Sequence, residues 1–280
     1  KLTGKPVADS LKSKISERIA RLNERNITPG LRIIRVGKNE DDVFYEKSIL
    51  KNCSSMGIKG SVVELAENIS TKELVEAIES ANESSDIHGI MLLRPLPKHL
   101  DQEAASRAIN PDKDVDCMSP VNLEKIFTGR NAFYAPCTSR AVVEMLKYYE
   151  LPLSGANITV AGRSLVVGKP LIMLLLNENA TVTVCHSRTQ NMEDITSKAD
   201  VVVAAIGKAK FMGREYFKDS SVIIDVGIND DGSGKICGDV DYDNVVGTVK
   251  ALSPAIGGIG SITTSILMEQ TVKACEMLTS

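Results

Sequence analysis

Much that would place this 280-residue chain in a simple class is missing from it. It has three histidines (His88, His99, His186) and six cysteines (Cys53, Cys117, Cys137, Cys185, Cys237, Cys275) with no C-x-x-C pair. Neither a metal site nor a disulfide framework is expected, and such thiol usage suits a reducing cytoplasm. The longest apolar runs, at 171–176 and 201–206, are far too short to cross a bilayer, so no membrane partner is expected. A net charge of −3 gives no electrostatic reason to expect nucleic acid. No signal-peptide pattern is visible at the N-terminus, where the chain opens at Lys1, and a cytoplasmic location is expected.

What is present is an alternation of short β-branched runs with amphipathic segments. Apolar positions Val7, Leu11, Ile15, Ile19 and Leu22 repeat every three to four residues and predict a helix over 6–22. Strands follow at 31–37, 61–65 and 87–93, separated by helices at 41–56, closed by Gly57, and from Ser70 to about Asn82, opened by a capping-box pattern of Ser70 with Glu73. A polar loop at 109–117 reads as a domain hinge, and 139–149 as a linking helix. The second half repeats the pattern, with strands at 158–160, 181–185, 201–205, 222–226 and near 249–252, then helix from Ser261. The fold class read from this is α/β: two α/β domains, the second a doubly wound, Rossmann-type dinucleotide-binding domain with ligands at the C-terminal strand edges.

The stretch Ile158-Thr-Val-Ala-Gly-Arg-Ser-Leu-Val-Val-Gly-Lys-Pro170 is strand, glycine turn and helix start in succession. Free backbone N–H groups and the positive helix end would meet there, which is the geometry that receives a phosphate. The usual G-x-G-x-x-G is absent. A P-loop is disfavoured too, because Pro170 stands where Ser or Thr would hold Mg²⁺. NAD enzymes of this architecture carry an acid at the end of the second strand, to bind the ribose 2′-hydroxyl. Here that strand runs into His186-Ser-Arg-Thr189, with Arg163 in the glycine turn, and a cationic fork suits a 2′-phosphate. NADP is therefore the expected cofactor. A Cys185–His186 nucleophile is disfavoured because neighbouring strand residues face opposite ways.

These stretches resemble one family closely, the methylenetetrahydrofolate dehydrogenase/methenyltetrahydrofolate cyclohydrolase family. The resemblance rests on Gly162-Arg-Ser-x-Val-Val-Gly-Lys-Pro170, Leu176-Asn-Glu-Asn-Ala-Thr-Val-Thr-Val-Cys-His-Ser-Arg-Thr189, Asp225-Val-Gly-Ile228, Pro111-Asp-Lys-Asp-Val-Asp116, Pro136-Cys-Thr138 and Gly257-Gly-Ile-Gly260. It implies a folate-binding catalytic domain at 1–137 plus 262–280 and an NADP-binding domain at 138–261, flanking a cleft, in a homodimer. It implies oxidation of 5,10-methylenetetrahydrofolate with NADP, then hydrolysis of the 5,10-methenyl compound. Gly162, Arg163, Ser164, Val167, Gly168, Lys169, Pro170, His186, Ser187, Arg188 and Ile228 match positions on the cofactor. Tyr45 matches the tyrosine that packs on the aminobenzoyl ring, Asp116 the acid that reads the pterin's donor edge, and Gly257 and Gly258 the substrate loop.

The chain departs from the family at one polar pair. Where the family has a lysine four residues after the tyrosine, this sequence has Ile49, and where a glutamine holds that lysine it has Leu93. Lys47 and Lys51 do not substitute, because at 100° per residue they point roughly 160° and 120° away from the tyrosine's direction, against about 40° for the family lysine. Arg94 follows Leu93 and by strand alternation should face the other way. Prolines of the family are replaced by Ser139, Ile256 and Ser261. The resemblance thus implies an NADP-dependent dehydrogenase whose cyclohydrolase activity is weak or absent. Two alternatives stand beside it: a fully bifunctional enzyme, and a nucleotide-binding module without folate turnover.

Overall fold

The computed structural model describes residues 1–130 and 133–280. The chain divides into two compact units, Ser10–Ala135 with Thr264–Ser280, and Lys1–Asp9 with Pro136–Thr263. Helix α1 (Gly4–Glu24) begins in one unit and ends in the other, and so does the last helix, α10 (Ile259–Leu278). The first nine residues group with the 136–263 segment. They are tied there by Leu2 N–H donating to the Leu252 carbonyl (3.1 Å) and Gly4 N–H to that of Gly257 (2.8 Å).

The first unit carries a three-stranded parallel sheet in the order β2-β1-β3, from β1 (Gly30–Val36), β2 (Lys59–Leu65) and β3 (Gly89–Leu92). Helices α2 (Glu40–Met56) and α3 (Thr71–Glu83) are the crossovers. Gly57 closes α2 in the left-handed conformation at φ 76°, where lack of a Cβ removes the steric penalty. Ser70 and Glu73 form the reciprocal capping box at the start of α3. Ile34, Leu74, Ile78, Ile90 and Leu92 pack as the core, each such side chain contributing about 1.5–3 kcal/mol by leaving water.

Two helices the sequence reading leaves out, α4 (Gln102–Ala108) and α5 (Pro120–Thr128), bracket the 109–117 loop. That loop is no hinge. Asp114 is fully buried, accepts from the N–H groups of Met118 and Ser119 and from Asn122, and bridges Ile90 in parallel register. Lys113 donates to the carbonyls of Asn82 and Ser84 at the end of α3. The unit boundary falls instead between Ala135 and Pro136.

The second unit opens with α6 (Cys137–Tyr148) and holds a five-stranded parallel sheet of β4 (Asn157–Ala161), β5 (Thr181–Cys185), β6 (Val201–Ala204), β7 (Val222–Asp225) and β10 (Ala251–Leu252). Between the last two lie an antiparallel pair, β8 (Asn229–Asp230) with β9 (Ile236–Cys237), and the short α9 (Tyr242–Val245). Helices α7 (Gly168–Asn177) and α8 (Met192–Thr196) follow β4 and β5. The sheet order β5-β4-β6-β7-β10 is a doubly wound sequence whose direction reverses between β4 and β6, and such a switch point is where α/β sheets bind ligands. The three-stranded sheet has the same reversal between β1 and β3.

Candidate functional site

At the switch point of the five-stranded sheet, β4 and β6 pair up to Ala161 with Ala204. Gly162 comes next, at φ 144°, and a Cβ there would lie 2.1 Å from the Ala205 carbonyl oxygen. A Cβ on Gly168 would lie 2.4 Å from the Gly162 oxygen. Both glycines are therefore steric requirements of the close approach between turn, helix and sheet. A pocket of about 430 Å³ opens beside them, lined in part by Gly162, Arg163, Ser164, His186 and Ser187.

The hydrogen bonds differ from expectation. The helix-start N–H groups of Val167 and Gly168 donate to the Ser164 hydroxyl (3.1 and 3.4 Å), and that of Lys169 to the Ser164 carbonyl (2.9 Å). Between Gly162 and Lys169, the N–H groups without a protein acceptor are those of Arg163 to Val166, within the turn itself. Ser164 thus shapes the turn, and the turn supplies the donors for an anion.

After β5, Arg188 N–H donates to His186 Nδ1 (3.2 Å) and His186 N–H to the Thr189 hydroxyl (2.8 Å), which fixes a tight turn. Arg163 and Ser187 line the pocket, whereas Arg188 is exposed and outside its lining. Lys169 is exposed and Val167 half-buried; Pro170 is buried at the start of α7, and Ile228 is exposed on the loop after β7. Gly257 and Gly258 follow β10, where a Cβ on Gly258 would meet the Pro254 oxygen at 2.1 Å. The sequence reading misses Lys208, whose ammonium lies 4.8 Å from the Phe211 ring centroid; both line the pocket. Their position just past β6, at the C-terminal edge, is the signal that could have found them. Cys185 is buried, and burial pushes its thiol up, away from the thiolate a nucleophile needs.

Two acids hold the loops around this edge. Asp239 accepts from the N–H groups of Ile206 (2.6 Å), Gly207 (3.0 Å) and Lys208 (2.9 Å). Asp225 accepts from those of Gly227, Asp239 and Val240. Burial, opposed by these three bonds, lifts the Asp225 carboxyl from 3.8 to about 6. Ser139 is fully buried on α6 and donates to the Val167 carbonyl at 2.9 Å, so this replaced family proline braces the glycine turn.

In the three-stranded unit, Tyr45 and Ile49 lie one turn apart on α2. Ile49 is fully buried and Leu93 is 5% exposed, while Lys47 and Lys51 are exposed. The pair that is polar in the family is here part of the apolar packing. Arg94 Nη2 lies 3.3 Å from Asp116 Oδ2, with the two side chains 17% and 15% exposed, a contact the sequence reading does not foresee. Strand β3 ends at Leu92, so Arg94 lies just past its C-terminal end.

The chain's likenesses agree with this geometry. A family model described as tetrahydrofolate dehydrogenase/cyclohydrolase, catalytic domain, matches residues 2–116, and its NAD(P)-binding-domain counterpart matches 136–279. A protein named bifunctional protein FolD 1, from Desulfitobacterium hafniense strain Y51, is 50% identical over 275 residues, 98% of each chain. The crystal structure of a bifunctional methylenetetrahydrofolate dehydrogenase/cyclohydrolase from Campylobacter jejuni superposes with a TM-score of 0.96 at 36% identity, covering 99% of this chain and 98% of the other. The Trypanosoma brucei enzyme, solved with NADP cofactor and inhibitor, gives 0.93 at 34% identity, covering 98% and 96%. With half its residues shared along nearly its whole length, this chain belongs to the tetrahydrofolate dehydrogenase/cyclohydrolase family.

Proposed function

We propose that the protein oxidises 5,10-methylenetetrahydrofolate by hydride transfer to NADP, and that its hydrolysis of the 5,10-methenyl product is weak or absent. The observation that carries this reading is the buried, apolar Ile49–Leu93 pair, in place of the family's lysine and glutamine. Removing both partners of a buried polar pair together is far less costly than removing one, so the two replacements belong together.

The two steps make different demands. When bound, NADP supplies the hydride acceptor; the methylene carbon gives up a hydride and becomes a delocalised cation. Holding the reacting atoms in line can contribute on the order of 7–11 kcal/mol, with no acid or base acting at that carbon. In this reading the turn at Gly162–Gly168, with Arg163, Ser187 and Lys208, holds the nucleotide, the absence of an acid after β5 favours the 2′-phosphate, and Tyr45 and Asp116 hold the folate. The Trypanosoma relative's NADP supports the cofactor choice. Hydrolysis instead needs proton transfers to and from water, where general acid–base help is worth roughly 10²–10⁴-fold. Ile49 and Leu93 offer none.

Full bifunctionality is the second reading, supported by the name of the 50%-identical relative and by Arg94, a cation on Asp116. Purified protein assayed separately for NADPH formation and for methenyl hydrolysis decides between them. Dehydrogenation with hydrolysis at least about a hundredfold slower is expected if the acid–base group is lost; comparable rates would establish the second reading. NADP binding without folate binding would leave only a nucleotide-binding module. The proposal extends to a cytoplasmic homodimer, which sedimentation at twice the chain mass would support and at the chain mass would refute.

A further inference from the structure

Arg94 is charged, mostly buried and incompletely partnered. Its bond to Asp116 is long at 3.3 Å, against about 2.7–2.9 Å for a good charge-assisted bond. A guanidinium has five N–H donors in a rigid fork. Among the described residues this fork donates to nothing but Asp116. Its other N–H groups have no protein acceptor among these residues and are not enclosed, so they stand open to an acceptor that arrives from elsewhere.

The fold puts Arg94 where a ligand would be met. The Ile90–Asp114 bridge anchors the 111–116 turn beside β3, and Asp116 at the end of that turn meets Arg94 just past the C-terminal end of the strand. That end borders the β1/β3 reversal of the sheet, the ligand-binding edge of such a winding. An acceptor-only carboxylate and a donor-only guanidinium now stand side by side.

Building on the folate reading above, we infer that Arg94 and Asp116 form one recognition unit for a 2-amino-4-oxo-pteridine edge. Asp116 accepts from the ring's N3–H and 2-amino group, and Arg94 donates to the 4-oxo oxygen. The ring edge presents two donors and then one acceptor, and the pair presents the complement. Arg94 is thereby a specificity residue: a 4-amino group, itself a donor, would face the guanidinium and leave both unpaired.

The test is calorimetric binding of tetrahydrofolate and of its 4-amino analogue to the intact chain and to Arg94→Leu and Arg94→Gln, each checked for folding by circular dichroism. Arg94→Leu is expected to weaken tetrahydrofolate binding about ten- to a hundredfold, the scale of a lost hydrogen bond to a charged group. The 4-amino analogue should be unaffected or bound more tightly, and Arg94→Gln, which keeps a neutral donor, should fall between. A purely structural role would weaken both ligands alike, so an unchanged 4-oxo to 4-amino ratio in both variants overturns the assignment while the folate reading stands. Failure of the intact chain to bind either pteridine overturns both.

Discussion

At the strand ends of the five-stranded unit, Asp225 and Asp239 are each held by three backbone N–H groups. At the strand ends of the three-stranded unit, the mostly buried Arg94 is held by one carboxylate oxygen. Both sheets reverse their winding in the same way, so the contrast does not come from architecture. It comes from satisfaction. An acid whose lone pairs are filled by three rigid donors freezes the loops that supply them, and the Ile206–Lys208 loop held by Asp239 lines the pocket at the switch point. A cation with most of its donors unfilled leaves its own surroundings incomplete. The first arrangement builds a scaffold, and the second marks a place for a ligand.

The sharpest way to break the contrast is to return a cation to the apolar side. Ile49→Lys places an ammonium in a fully buried position and should cost about 3–5 kcal/mol in urea denaturation, the scale of an unpaired buried charge. Adding Leu93→Gln should recover part of that loss and raise methenyl hydrolysis. A single variant as stable as the parent would mean the site already contains a partner for the ammonium.

Gly162→Ala attacks the scaffold side. With its Cβ 2.1 Å from a carbonyl oxygen and a φ of 144°, it should cost about 2–4 kcal/mol and abolish NADP binding in fluorescence titration. Retained affinity would show that the turn can relax.

Asp225 gives the scaffold a pH signature. Its carboxyl lies at about 6 in the fold against an ordinary 3.8, so the folded chain binds this proton more tightly than the unfolded chain does. The group's contribution to stability is complete below about 4 and lost as pH rises through about 6. The size is on the order of 2–3 kcal/mol. Denaturation midpoints across that range should show this slope, and Asp225→Asn should flatten it; an equal slope in the variant assigns it elsewhere.

Smallest is Ser139→Ala, which removes the bond to the Val167 carbonyl and should lower stability by about 1 kcal/mol in thermal melts. Ser139→Pro should do no more harm, because an N–H in the first helical turn has no intrahelical acceptor to lose.

Much of the scaffold was legible because its rules are local. The Ser70–Glu73 box and the Gly57 cap depend on a few adjacent residues and form where the sequence places them. The glycine turn was legible for the same reason, since no other residue fits between a strand end and a helix start this close. The short helices α4 and α5 carry too few turns to show a period. Lys208 escaped because it reaches the pocket from another strand, and the Arg94–Asp116 contact because Asp116 arrives from a turn 22 residues on.

The sequence by itself determined the α/β class, the strand and helix succession, the glycine turn and the replacement of a lysine and glutamine by Ile49 and Leu93. The class, the succession and the turn follow from residue type, periodicity or steric demand acting over a few neighbours, and the replacement follows from the resemblance to the family. Only tertiary structure decided that those two side chains are buried, that Ser164 caps its own turn, and that Arg94 meets Asp116. These depend on where a strand stops and which distant groups then converge, and a hydrogen bond between residues 22 apart is fixed by the packed sheet rather than by the chain between them.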